Sequence, residues 1–106
     1  MNELIDIQEK NINRIRLAVE AATGVDVLNT ADARRTQKQV FARMIFTHKC
    51  LELGIFGDRI AYELRVAEGT IRYYVRKFEG EVRYNPIFAI LVQTIENILS
   101  GDEHTI

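Results

Sequence analysis

Apolar residues in this sequence recur three and four positions apart from one end to the other, and no stretch alternates apolar with polar residues as a half-buried strand does. A chain so patterned can bury its apolar surface only by packing helix on helix. From Asn2 to Ala22 the series Leu4, Ile5, Ile12, Ile15, Val19 and Ala22 predicts a first helix, stopped by Gly24, with Val25, Val27 and Leu28 tucked beneath it in the segment that follows. A second helix is predicted to start at Thr36, whose hydroxyl caps it while Gln39 reaches back in a Thr-x-x-Gln box, and to stop at Gly54. Val40, Phe41, Met44, Ile45, His48 and Leu51 form one apolar face of it, and Phe46, Cys50 and Leu53 a second. Two apolar faces mark the central helix of the core.

A short third helix, about Asp58 to Leu64, turns Ile60, Ala61 and Leu64 inward, and a fourth, about Ala67 to Gly80, does the same with Ile71, Tyr74, Val75 and Phe78. The only proline, Pro86, follows Asn85 as the first residue of a last helix, where its missing N–H costs nothing. Ile87, Phe88, Leu91, Val92, Ile95, Ile98 and Leu99 give that helix a broad apolar arc, and the tail "SGDEHTI" is expected to fray. The expected fold is all-α: one domain over residues 1–106, a five-helix bundle containing a helix-turn-helix at about 58–79.

A net charge of −1 hides an uneven distribution. Residues 1–32 and 84–106 each carry −3, whereas 33–83 hold eleven Lys and Arg against six acids, a net of +5. Positive charge confined to one block suits a phosphate backbone, although a solvated charged face looks the same in a sequence. Within that block lies "RIAYELRVAEGTIRYYVRKF". In a helix-turn-helix a small residue sits where the two helices cross, apolar residues fix the angle, and a short turn sends the second helix into the major groove. Ala61 takes the crossing, Ile60 and Leu64 flank it, Val66 lies in the turn, and Ile71 and Tyr74 anchor the second helix. Arg65 falls where the backbone favours a left-handed residue, and Ala67 where a capping Ser or Thr is usual.

The outward side of the second helix then offers Thr70, Arg72, Tyr73, Arg76 and Lys77. Arg72 and Arg76 have the fork geometry to pair with guanine edges or phosphates, and Lys77 suits phosphate. Tyr73 is placed to touch a thymine methyl, a base or a phosphate, and Gly69 in the first turn lets a phosphate approach the helix end closely.

The segments "INRIRLAVEAATGVDV", "ARRTQKQVFARMIFTHKCLEL", "DRIAYEL…GTIRYYVRKFE" and "NPIFAILVQTIENIL" together resemble the DNA-binding C-terminal domain of the bacterial replication initiator DnaA, whose helical arrangement is shared with the Trp repressor. The resemblance runs over about Ile12 to Leu99. It implies a helix-turn-helix in the major groove and a basic loop on phosphates or the adjacent minor groove, at Arg34, Arg35 and Lys38. The family's Arg-Asp-His-Thr-Thr run is replaced here by Val66, Ala67, Glu68, Gly69 and Thr70, of which only Thr70 carries over.

Other classes find little support. No Ser, His and Asp arrangement, phosphate-binding glycine loop or carboxylate pair at catalytic spacing is visible, so neither an enzyme, a cofactor nor a small-molecule ligand is expected. His48, among Val40, Met44 and Leu51, reads as a core histidine bonded to a backbone carbonyl. Cys50 is the only cysteine, which leaves no internal disulfide and fits a reduced, cytoplasmic setting. No apolar run is long enough to span a bilayer. The expected partner is double-stranded DNA, bound by a small transcriptional regulator or accessory replication factor. The rival is a helix-turn-helix module for protein interaction or dimeric assembly, with Leu17 and Ile90 off their apolar arcs as the hint of a homodimer.

Overall fold

The computed structural model describes residues 2–29 and 36–104, with side chains for all of these except Asn2, Leu4 and 102–104. Among them are five α-helices and no strand: α1 (Asn2–Thr23), α2 (Gln37–Glu52), α3 (Gly57–Leu64), α4 (Glu68–Tyr84) and α5 (Pro86–His104). None of these helices is long and apolar enough to cross a membrane.

Local chemistry sets the ends. Thr36 Oγ1 accepts from the Gln39 N–H at 3.3 Å and Gln39 Oε1 from the Thr36 N–H at 3.4 Å, which closes the capping box of α2. Gly24 and Gly54 stop α1 and α2 at φ values of 76° and 81°, open to glycine at no steric cost. After α1, Arg16 grips the Asp26 carboxylate through two hydrogen bonds of 2.7 and 2.6 Å, and Asp26 Oδ1 also accepts from the Leu28 N–H. Val27 is thereby pinned in the core. The hydrogen bond from Arg16 holds the Asp26 carboxyl below its ordinary value, burial opposing it.

α2 packs against α1, α3 and α4, and α5 closes the bundle against α1 and α4. Phe88 sits at the centre, edge-on to Phe41 of α2 at 5.0 Å and to Phe78 of α4 at 5.5 Å between ring centroids. Lys49 gives a second tie between α2 and α5: it is only 8% exposed and bonds Glu52 at 3.0 Å and Glu96 at 2.9 Å. Burial pushes its ammonium down, but the hydrogen bonds to Glu96 and Glu52 outweigh burial and leave it raised.

Several expectations need correction. Leu53 is exposed because it caps α2, and Ile55, past the Gly54 turn, fills the core in its place. Val75 is 51% exposed, since Ile71, Tyr74 and Phe78 already form the row that faces the bundle. Ile5 and Ile87 are exposed too: the apolar stripes of α1 and α5 are broader than the surfaces that neighbouring helices cover. α4 continues through Gly80 to Tyr84, a mid-helix glycine costing only about 1 kcal/mol. It ends at Asn85, which Pro86 biases away from helical backbone. α5 stays helical to His104 where fraying was expected.

Between α3 and α4 lie only Arg65, Val66 and Ala67. Arg65 adopts a left-handed backbone, φ 56° and ψ 47°, and the N–H groups of Arg65 and Val66 bond back to Tyr62 and Ala61. Val66 packs on the core, and Ile60, Ala61 and Leu64 are buried. α3 and α4 come together at Gly57, where even a Cβ would meet Ile71 Cγ2 at an ordinary contact distance of 3.6 Å. Ala67 caps α4 without a side-chain hydrogen bond. A left-handed non-glycine residue carries a strain of about 1 kcal/mol, so Arg65→Gly is expected to raise the unfolding free energy by about that much. Denaturant titration checks this, and a variant no more stable than the wild type would show that Arg65 contacts offset the strain.

Candidate functional site

α4 rises about 10 Å from Thr70 to Lys77 at its 1.5 Å per residue, close to the width of a major groove. Along that length Arg72, Tyr73, Arg76 and Lys77 are exposed, Gly69 is exposed and Thr70 is half-buried, while Ile71, Tyr74 and Phe78 hold the opposite side in the core. The structure thus brings six of the expected residues onto one helix and one face. Lys77 Nζ lies 5.8 Å from the centre of the Tyr73 ring, a cation–π contact that steadies both side chains. Arg72 lies back along the first turn: a Cβ on Gly69 would be 3.6 Å from Arg72 Nη2.

The basic loop is only partly described. Arg34 and Arg35 lie outside the described residues. Lys38 is exposed in the first turn of α2, with its Nζ 3.7 Å from where a Cβ of Gly24 would stand, beside the C-terminal end of α1 that favours a cation.

Ion pairing divides the cations. Arg16 is held by Asp26, Lys49 by Glu52 and Glu96, and Arg59 lies within 4 Å of Glu9 and Glu63. No ion pair with a described residue is formed by Arg72, Arg76 or Lys77, nor by Arg43 and Arg65, which flank the start of α4. These five cations without a described carboxylate partner thus lie on or beside α4, with Lys10 on α1 and Lys38 on α2 likewise without one elsewhere, and α4 also carries the exposed acids Glu68 and Glu79. Sequence reasoning missed Arg43 and Arg65 as site residues. Arg43 falls between the two apolar faces of α2, where periodicity says nothing about direction, and Arg65 drew notice only for its backbone.

His48 and Cys50 lie on or in the core. The His48 ring stacks on Phe78 with centroids 3.7 Å apart and planes within 5°, and its Nε2 lies 3.4 Å from Glu52 Oε2. It is a half-buried ring on the α2–α4 seam, and its described polar partner is a carboxylate where a backbone carbonyl was expected. Burial pushes the imidazole down, Glu52 opposing. Burial raises the Cys50 thiol to about 12, which leaves it un-ionised and inert at neutral pH. Among the described residues no group of His, Cys, Asp and Glu is arranged to hold a metal ion.

With its folded value below 6.5, His48 favours folding in its neutral form. Its contribution is present above pH 6.5 and is lost as the pH falls through the folded value. The expected imidazole midpoint by NMR is below 6.5, and His48→Gln is expected to flatten the stability profile in that range. A midpoint above 6.5 would mean that the Glu52 contact outweighs burial.

Set against models of known protein families, curated proteins and solved structures, the chain matches none of them.

Proposed function

We propose that this protein binds double-stranded DNA with α4 in the major groove, acting as a small transcriptional regulator or accessory replication factor. One observation carries the reading: Arg72, Arg76 and Lys77 project from a single exposed face with no carboxylate partner among the described residues, on a helix whose other face is locked into the core. Unpaired cations fixed on a rigid rod are what a polyanion selects, since binding releases the counterions condensed on it. The three-residue turn, Ala61 buried at the crossing of α3 and α4, and the resemblance to the DnaA C-terminal domain support the same reading.

In this arrangement Arg72 and Arg76 meet base edges or phosphates, Lys77 meets phosphate, and Tyr73 lies between them against the groove floor. Thr70 and Gly69 bring the helix start to the backbone, while Arg34 and Arg35, just before α2 in sequence, and Lys38 in its first turn brace on flanking phosphates. The second reading, a dimeric or protein-binding module, draws on Leu17 and Ile90, which are 62% and 64% exposed.

Titration of a labelled duplex at about 50 and about 200 mM salt tests the main reading, with an expected loss of at least about tenfold in affinity. Binding that is absent, or indifferent to salt, would leave the protein-binding reading. Arg76→Ala is expected to weaken a selected site by about 1–3 kcal/mol, and random duplex by less, if Arg76 reads a base. Equal losses on both would make it a phosphate contact.

A further inference from the structure

Four clefts on the surface each include at least one glutamate among their lining residues: Glu52 and Glu96 in one, Glu79 in another, Glu63 in a third, and Glu9 with Glu63 in a fourth. A further cleft, of about 600 Å³, lies between α2 and the start of α4, and no carboxylate lines it. Arg43 of α2 and Arg65 of the turn stand on its walls, with Val40 beside them and Gly69, Thr70 and Tyr73 of α4 opposite. Neither arginine forms an ion pair with a described residue. The Nε of Arg43 is buried without a hydrogen-bond partner, so its guanidinium carries a donor that no described residue satisfies. Ala67 offers no side-chain acceptor at the N-cap of α4, and the Glu68 carboxylate stands in the first turn but does not line the cleft. The Thr70 N–H bonds the Ala67 carbonyl at 2.9 Å, which leaves the N–H groups of the first two α4 residues as donors on that side.

We propose that this cleft is a phosphate-binding site, with Arg43 and Arg65 as its two forks. On the DNA reading above, on which this assignment of the ligand rests, the phosphate is one of the duplex backbone. Guanidinium forks match phosphate oxygens bidentately, the Thr70 hydroxyl and the α4 N–H groups supply further donors, and Val40 and Tyr73 offer an apolar wall to the adjoining sugar. The cleft has room for more than a bare phosphate group. Thr70 and Tyr73 belong both to the cleft and to the outward face of α4, so a phosphate seated there sets the register of Arg72 and Arg76 on the neighbouring bases. The left-handed backbone of Arg65 acquires a purpose on this account, because glycine would relax the turn but remove one fork.

Two measurements test the site. Inorganic phosphate, titrated at constant ionic strength into the isotope-labelled protein, is expected to shift the Gly69 and Thr70 amides saturably, and Arg43→Gln to abolish the shifts. Unshifted amides would overturn the proposal whatever DNA does. On duplexes, Arg43→Gln and Arg65→Gly are each expected to weaken selected and random sequences alike, reducing the salt slope by about one, with Arg43→Lys restoring much of it. Arg65→Gly is expected to fold at least as stably as the wild type, so its loss of binding cannot be assigned to unfolding. If the wild type binds duplex and both variants match it in affinity and slope, the cleft is not a DNA contact: this inference fails and the DNA reading stands. If the wild type binds no duplex, the DNA reading fails, and the phosphate titration alone decides between a site for a free phosphate ester and no site.

Discussion

Phe88 holds the molecule together. Its ring, with no exposure, meets Phe41 and Phe78 edge-on, and Phe78 in turn lies flat on His48, so one aromatic chain joins α2, α4 and α5. Edge-to-face pairs fix orientation as well as distance, each contributing about 0.5–1.5 kcal/mol beyond simple burial. The rotation of α4 about its own axis is thereby set. Turned by a third of a revolution, the same helix would bury Arg76 and expose Phe78. The outward direction of the cationic face is therefore a property of the core.

A division of labour among charges follows the same geometry. Carboxylates neutralise cations that tie the fold together: Asp26 on the loop after α1, Glu96 and Glu52 on Lys49 between α5 and α2, Glu52 also beside His48, and Glu9 and Glu63 near Arg59, while Glu68 and Glu79 on α4 stay exposed. The strip from Arg43 through Arg65 to Lys77 has no such partners among the described residues. A chain with a formal charge of −1 can thus present a positive face without being basic overall. That is the form of asymmetry that steers a polyanion to one side of a protein.

Much of the fold was legible in the sequence because its signals are local. Thr36 with Gln39, Gly24, Gly54 and Asn85 with Pro86 act within a turn of chain, and the structure places helix boundaries at each of them. The split of α4 into a core row and an outward row was legible for the same reason, except at Val75, on the border between them. What escaped was set by neighbours distant in sequence. Whether Ile87 is covered depends on how far α1, α2 and α4 reach. That Lys49 is buried with its charge depends on Glu96, 47 residues away. Arg43 and Arg65 become a pair only when α2 and the turn are folded together, and neither alone differs from an ordinary surface arginine.

The single-residue joint at Asn85 bears on how the chain reaches this state. α3, α4 and α5 follow one another with three residues and one residue between them, so their mutual contacts close short loops. The packing of α1 on α5 instead joins the two ends of the chain and closes the longest loop in the molecule. Low separation in sequence favours early formation, so the α2–α3, α3–α4 and α4–α5 contacts are expected to form before α1 docks on α5. Arg65, Arg72, Arg76 and Lys77 lie within the short-loop segment from α3 to α5, whereas Arg43 joins them from α2.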